Sequence, residues 1–200
     1  TEFIKDGITA ISTMNLLNSD NIQERYWVNE CLNAICEKHL ESEQYFTALE
    51  TEARELTRLE SEGIYFCGWT EEEYPSLLKD CEDPPIGLYI RSSTPAAELW
   101  KPRSRIAIVG TRDISPYGKE WCERVVHSLS GTDRVPVIVS GLALGTDITA
   151  HRCAIEEGLP TIGVMATGAD EVYPYRHKDF AKKLVQTPGC ALISDYPPGT

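Results

Sequence analysis

No run of eighteen apolar residues occurs in the 200-residue sequence, so it offers no membrane-spanning helix. Its first residues, Thr-Glu-Phe-Ile-Lys-Asp, have neither the basic start nor the apolar centre of a secretory signal, and the chain reads as cytoplasmic. Cysteines stand at 31, 36, 67, 81, 122, 153 and 190, but their number is odd and no C-x-x-C pair exists. A disulfide framework and a zinc ribbon are both disfavoured, and buried reduced thiols are the expectation. Four short motifs are also missing. Without G-x-G-x-x-G, G-x-x-x-x-G-K-[ST] or G-x-S-x-G there is no support for a dinucleotide site of the usual kind, a P-loop ATPase or a nucleophile-elbow hydrolase. Pro-Gly-Gly-x-Gly-Thr, the loop of a nucleotide-cleaving branch of Rossmann-like proteins, is absent too. No cofactor and no metal site is expected.

Basic residues are scarce overall, with a net charge of −12, which speaks against a basic DNA-binding face until the charge is divided. Residues 1–100 hold 7 Lys and Arg against 20 Asp and Glu, net −13, and residues 101–200 hold 12 against 11, net +1. The acidity belongs to the first half. An anion site in the second half is therefore open, although nothing resembles a strongly basic DNA-binding domain.

Two units are expected: a small helical unit over 1–63 and an α/β domain over 64–200. In the first, Tyr26, Val28, Leu32, Ile35 and Cys36 fall at helical spacing, as do Phe46, Leu49, Ala53, Leu56 and Leu59 before Gly63. In the second, Ile64–Cys67 and Gly87–Ile90 read as strands. Thr70 with Glu73 offers a capping box, Leu77 and Leu78 an apolar anchor, Asp83-Pro84-Pro85 a rigid turn, and residues 95–101 a linker or short helix.

Strand and helix then alternate. Ile106–Val109 reads as a buried strand, followed by Ser115 as N-cap, Pro116 at the first helical position and a helix with Trp121, Val125 and Leu129 facing inward. Val137-Ile-Val-Ser140 is another short β-branched run. Gly141 and Gly145 follow it, with Asp147 placed to cap a helix that stops at Gly158. Thr161–Ala166, a loop over 167–170, a helix around 179–186 and a strand over 191–194 complete the series. This alternation predicts a doubly wound parallel sheet with its site at the strands' carboxyl ends. Strand, small-residue loop and helix start make a corner suited to anions, and the corner is built at least twice.

At these corners the sequence resembles the DNA-processing protein A (DprA/Smf) family. The resemblance rests on Val109-Gly110-Thr111-Arg112, Ser140-Gly141-Leu142-Ala143 with Gly145-x-Asp147 and Ala150-His151, Tyr173-Pro174, and Ser194-Asp-Tyr-Pro-Pro-Gly-Thr200, with Tyr74-Pro75-x-Leu77-Leu78 and Asp83-Pro84-Pro85 before them. It implies an extended Rossmann-like domain that binds single-stranded DNA, forms homodimers and helps load the RecA recombinase in natural transformation. Two departures stand out. Leu144 occupies a position where the family often carries Arg or Lys, and the family pattern continues into a Phe-Pro-x-Arg-Asn segment, whereas this chain stops at Thr200 and reads as C-terminally incomplete. The family's N-terminal role is not carried over, for no Gly-rich helix-hairpin-helix turn occurs.

The expected phosphate-binding residues are Gly110, Thr111, Arg112, Ser140, Gly141, Leu142, Ala143, Gly145, Asp147 and Tyr173. Arg112 is the strongest, because a guanidinium grips phosphate with two donors; its bland alternative is a surface ion pair. Asp147 and His151, four apart, suit an acid–base or metal pair, but Asp147 as N-cap with His151 as its hydrogen-bonded neighbour is preferred. Ser140 is expected to meet phosphate or cap the loop. Tyr173 either stacks on a base or packs in the core, and Arg176, His177 and Lys178 read as a solvated basic face. The leading function is a non-enzymatic single-strand DNA-binding recombination mediator, against a small nucleotide-binding or nucleotide-hydrolysing domain.

Overall fold

The computed structural model of the chain describes residues 42–101 and 104–200. Helix α1 (Ser42–Ser61) leads into strand β1 (Ile64–Gly68), and a single-turn helix α2 (Ser76–Lys79) lies between it and β2 (Gly87–Arg91). Helix α3 (Ala96–Leu99) follows. Then come β3 (Arg105–Ala107), α4 (Pro116–Ser130), β4 (Val137–Ser140), α5 (Thr146–Glu156) and β5 (Thr161–Val164). A 3-10 turn (Tyr175–His177) runs into α6 (Lys178–Gln186), and β6 (Ala191–Ser194) ends the series. The helical segment expected around Tyr26–Cys36 lies outside the described residues.

Among the described residues the strands form one sheet in the order β1-β2-β6-β5-β4-β3. Strands β3 to β6 are parallel to one another, whereas β2 runs antiparallel to both β6 and β1. The fold is thus α/β and Rossmann-like, with an antiparallel pair extending the parallel part. The connection over 69–86 holds one helical turn and returns the chain antiparallel to β1.

Both sheet faces are covered. On one, Cys122 and Val126 of α4 and Ala150, Cys153 and Ala154 of α5 close over Ile138, while Ala181 and Leu184 of α6 close over Leu192. On the other, Cys67, Tyr74, Leu88, Ile90 and Leu99 join Val137, Ile162, Ala191 and Ile193. The apolar runs of β4 to β6 therefore follow from burial on both sides. Helix α1 is tied on by Leu59, which is buried with Ile64 and Tyr89, while Leu56 is half-buried and Ala53 exposed.

Several expectations are corrected. The strand at Ile106–Val109 is not buried: β3 is the sheet edge with no outer neighbour, and Val109 is 73% exposed. In α4 the inward positions are Cys122 and Val126, one residue beyond the expected stripe, while Trp121 and Val125 face solvent and Leu129 is half-buried. No capping box forms at Thr70; instead the Glu71 carboxylate accepts from the Gly68 N–H at 3.2 Å in a turn. Leu77 is exposed, and only Leu78 packs against the core. The five described cysteines are all free; Cys67, Cys122, Cys153 and Cys190 are buried as expected, but Cys81 is exposed. No helix among the described residues is long and apolar enough to cross a membrane.

Candidate nucleic-acid interface

The carboxyl ends of β3 and β4 open into two loops, 108–115 and 141–145, that touch. The Thr146 N–H donates to the Thr111 carbonyl at 3.1 Å, and the Thr146 hydroxyl reaches the same oxygen at 3.3 Å. So close an approach needs small residues. Gly145 has φ +77°, and a Cβ there would collide with the backbone of Thr111 and Arg112; an L-residue would be strained even without the collision. A Cβ at Gly110 would stand 2.6 Å from the Thr146 hydroxyl, and one at Gly141 would stand 2.5 Å from the Asp147 carboxylate.

The two helices that leave these loops start differently. Ser115 caps α4 as its sequence predicts, its hydroxyl accepting from the Gly118 N–H at 3.1 Å with Pro116 opening the helix. Helix α5 is preceded by Gly145 and has no side-chain cap. Asp147 is therefore not the N-cap. It sits in the first helical turn, buried, with its carboxylate against Gly141, where the helix dipole favours a negative charge.

Thr111 and Arg112 are exposed at the meeting point. The Thr111 hydroxyl accepts from the Asp113 N–H at 3.1 Å, which shapes the turn, and among the described residues the Arg112 guanidinium has no ion-pair partner. Ser140 is buried, and its hydroxyl donates to the Ile108 carbonyl at 2.5 Å, tying β4 to the end of β3. Leu142 is buried beside Met165 and Leu184, and Ala143 is half-buried. Tyr173 is 67% exposed, so core packing is not its role.

Both histidines near the site depart from their sequence reading. His151 does not hydrogen-bond to Asp147: fully buried, it places Nε2 2.6 Å from the Gly141 carbonyl and Nδ1 2.7 Å from the Thr161 hydroxyl. Burial, the largest influence, pushes its pKa below the ordinary histidine value, against opposing pulls from the Gly141 carbonyl and then from Asp147. His177 is not part of a solvated basic face. It is buried, and its Nδ1 donates to the Leu142 carbonyl at 2.8 Å. A signal for this was available: 177, 180, 181 and 184 make one helical stripe with Phe180, Ala181 and Leu184. The joining role of Thr146 had no comparable signal.

Beside Tyr173 lies a cleft of about 280 Å³ lined by Arg91, Lys178 and Lys182, with Asp170 and Glu171 among its walls. Tyr175, 74% exposed, borders it with the Lys178 ammonium 5.2 Å from its ring centre. Among the described residues no group of three His, Cys, Asp or Glu side chains is arranged to hold a metal ion.

Residues 65–200 match the family described as DNA recombination-mediator protein A. The chain is 32% identical over 160 residues to DNA processing protein DprA of Bacillus subtilis, covering 80% of this chain and 50% of that protein. It is 28% identical over 198 residues to Protein Smf of Escherichia coli, covering 95% of this chain and 51% of that one. The chain thus spans about half the length of these relatives. Among solved structures it is similar to DNA processing protein A from Streptococcus pneumoniae, with a TM-score of 0.61 and 28% identity over 76% of this chain and 52% of that one. It is also similar to DNA processing protein A from Helicobacter pylori, described for its single-stranded DNA binding mode, with a TM-score of 0.55 and 29% identity over 64% of this chain and 55% of that one.

Proposed function

The chain belongs to the DNA recombination-mediator protein A (DprA/Smf) family, and on that premise we propose that it binds single-stranded DNA as a non-enzymatic mediator of recombination in DNA uptake. The observation that carries the reading is Arg112: exposed, without an ion-pair partner among the described residues, and fixed beside two touching glycine loops at the strands' carboxyl ends. Phosphate is the ligand that this arrangement fits, because an exposed guanidinium and closely approachable backbone both serve an oxyanion. Tyr173 supplies an exposed ring on which a base stacks. Gly110, Thr111, Gly141 and Gly145 shape the loops, and Ser140, Leu142 and Asp147 support them from below.

The wider role follows the family. Handing the coated strand to the RecA recombinase during natural transformation, as a homodimer, is the activity that we assign to the whole protein. In this reading no residue of the corner breaks a bond. Ser140, the serine nearest to a nucleophile's place, gives its proton to a carbonyl rather than to a base.

Titration with labelled oligothymidine and separately with mononucleotides, each at two salt concentrations, tests the proposal. A single strand held by several phosphates weakens with salt at a logarithmic slope of about −0.7 per phosphate neutralised. Steep salt dependence with oligothymidine and negligible mononucleotide affinity is expected. Mononucleotide binding alone, or turnover of a nucleotide, favours a nucleotide-binding or nucleotide-hydrolysing domain instead.

A further inference from the structure

Two histidines from different elements hold consecutive carbonyls of one loop. His151 comes from α5 and places Nε2 2.6 Å from the Gly141 carbonyl; His177 comes from the turn before α6 and places Nδ1 2.8 Å from the Leu142 carbonyl. Both rings are buried, at 0% and 3% exposure. A solvated histidine would be an indifferent clamp, but a buried ring without room to turn fixes what it touches.

The protonation states follow from counting donors. A carbonyl only accepts, so Nε2 of His151 and Nδ1 of His177 must each carry a proton. At His151 the other nitrogen faces the Thr161 hydroxyl at 2.7 Å, and that hydroxyl lies 2.9 Å from the Ile138 carbonyl. The hydroxyl has one proton for two acceptors. Given to Ile138, it leaves His151 an imidazolium; given to Nδ1, it leaves the ring neutral. Complete burial favours the neutral ring, which assigns the proton to Nε2. At His177 the carbonyl contact fixes a proton on Nδ1.

The consequence for the loop comes from peptide geometry. In a trans peptide the N–H points away from the C=O of the same plane. With the carbonyls of 141 and 142 drawn onto the two rings, the N–H groups of Leu142 and Ala143 point to the opposite sides of their peptide planes, away from the rings, and among the described residues neither has a hydrogen-bond partner. We propose that His151 and His177 are a positioning pair, which by holding these two carbonyls aims the N–H groups of Leu142 and Ala143 at a phosphate of a bound single strand. This inference rests on the strand-binding reading above and adds to it the residues that preorganise the loop. Neither histidine touches the strand.

The experiment uses the 200-residue chain with nitrogen-15 in its histidine rings and backbone, and two substitutions at each position. His177→Asn keeps a donor near the place of Nδ1 and His151→Gln keeps one near the place of Nε2, whereas His177→Leu and His151→Leu remove it. The ring spectrum of the unsubstituted chain is expected to show the Nε2–H tautomer at 151 and a protonated Nδ1 at 177. His177→Leu is expected to stay folded, to shift the amide resonances of 142 and 143, and to weaken oligothymidine binding by about tenfold, the worth of one oriented hydrogen bond. His177→Asn is expected to restore both readouts to near those of the unsubstituted chain, and the pair at 151 to behave likewise. Should His151→Leu unfold, the pair at 177 decides alone. Unaltered affinity in a folded His177→Leu chain, equal losses in the Leu and Asn variants, or the absence of a proton on Nε2 of 151 or Nδ1 of 177 would each overturn the proposal. Failure of the unsubstituted chain to bind oligothymidine overturns the strand-binding reading instead. The clamp is then judged by tautomers and amide shifts: the expected pattern upholds it as a positioning device, and any other pattern removes it.

Discussion

Thr146 donates twice to Thr111, through its backbone N–H at 3.1 Å and its hydroxyl at 3.3 Å, and so fastens the second glycine loop to the first. Arg112 owes its place to this junction. Its neighbour's carbonyl is the shared acceptor, so the guanidinium is carried at the seam of two strand ends rather than on a free-standing loop.

If Arg112 grips phosphate as proposed, Arg112→Ala removes that one charge-assisted contact and leaves every described hydrogen bond of the seam in place. A loss of about 1.5–3 kcal/mol in oligothymidine binding is expected, tenfold or more. The urea midpoint should not move. A folded variant with undiminished affinity would falsify the assignment of Arg112 to the site.

Gly145→Ala tests the seam itself. The added methyl meets the Thr111 carbonyl at a backbone φ of +77°, so strain and collision act together. Destabilisation of more than about 1 kcal/mol is expected, with strand affinity falling alongside it. Gly158 makes a useful control: its φ is +71° but a Cβ there meets nothing within 4 Å, so Gly158→Ala should cost less in urea unfolding than Gly145→Ala.

Acid should destabilise the protein through His151. Its pKa is lowered in the fold, while the unfolded chain takes up the proton near pH 6.5. The unfolded state therefore binds more protons just below that pH, so the stabilising effect of the neutral ring is complete above about pH 6.5 and declines as pH falls. Measured by urea unfolding between pH 7.5 and 5, this loss should shrink in His151→Gln. An identical slope in both proteins would show that the ring is not held neutral.

Alkali should act in the opposite sense, through buried acids. Burial pushes the Cys67 thiol up to about 12 and the Cys153 thiol up to about 11, and raises Cys122 and Cys190 as well. Unfolded thiols ionise near pH 8.5, so stability is full below that pH and falls as pH rises toward the folded values. Alkylation mapped by mass spectrometry at pH 8 should label Cys81 first among the five described thiols, with the other four protected until denaturant is added. Rapid labelling of Cys122 or Cys153 in the native chain would contradict their burial between α4 and α5.

Much of this architecture was legible because period and punctuation agree. Ser115-Pro116 opens α4, Gly63 and Gly158 close helices with positive φ, and the strand at Ala191–Ser194 lies where the apolar run places it. Legibility failed where a partner decides the matter. Ile106–Val109 has the composition of a buried strand, but no residue in it says that the sheet stops there. In α4 two apolar stripes, 121–125–129 and 122–126, differ by one residue, and Trp121 and Val125 of the bulkier one are exposed. Trp121→Gln should therefore change stability by no more than about 0.5 kcal/mol, whereas Val126→Ala should cost about 2 kcal/mol from two buried methyl groups and the space they leave. Thermal or urea unfolding of the two variants separates the stripes. At the candidate site, the two glycine loops at the strand ends could be read from their spacing. The histidine contacts could not, because the carbonyls they hold carry no mark in sequence.

Gly110 and Thr146 occupy what is nearly a single volume: a Cβ on the first would lie 2.6 Å from the hydroxyl and 3.0 Å from the Cβ of the second. Thirty-six positions apart in the chain, they are one unit of inheritance. A methyl gained at 110 is tolerable only with side-chain atoms given up at 146, and giving those up also forfeits the hydroxyl bond to Thr111. Evolution can thus reach an alternative pair only through an intermediate with a crowded or an unfastened seam, and a swap attempted in the laboratory faces the same two-step valley.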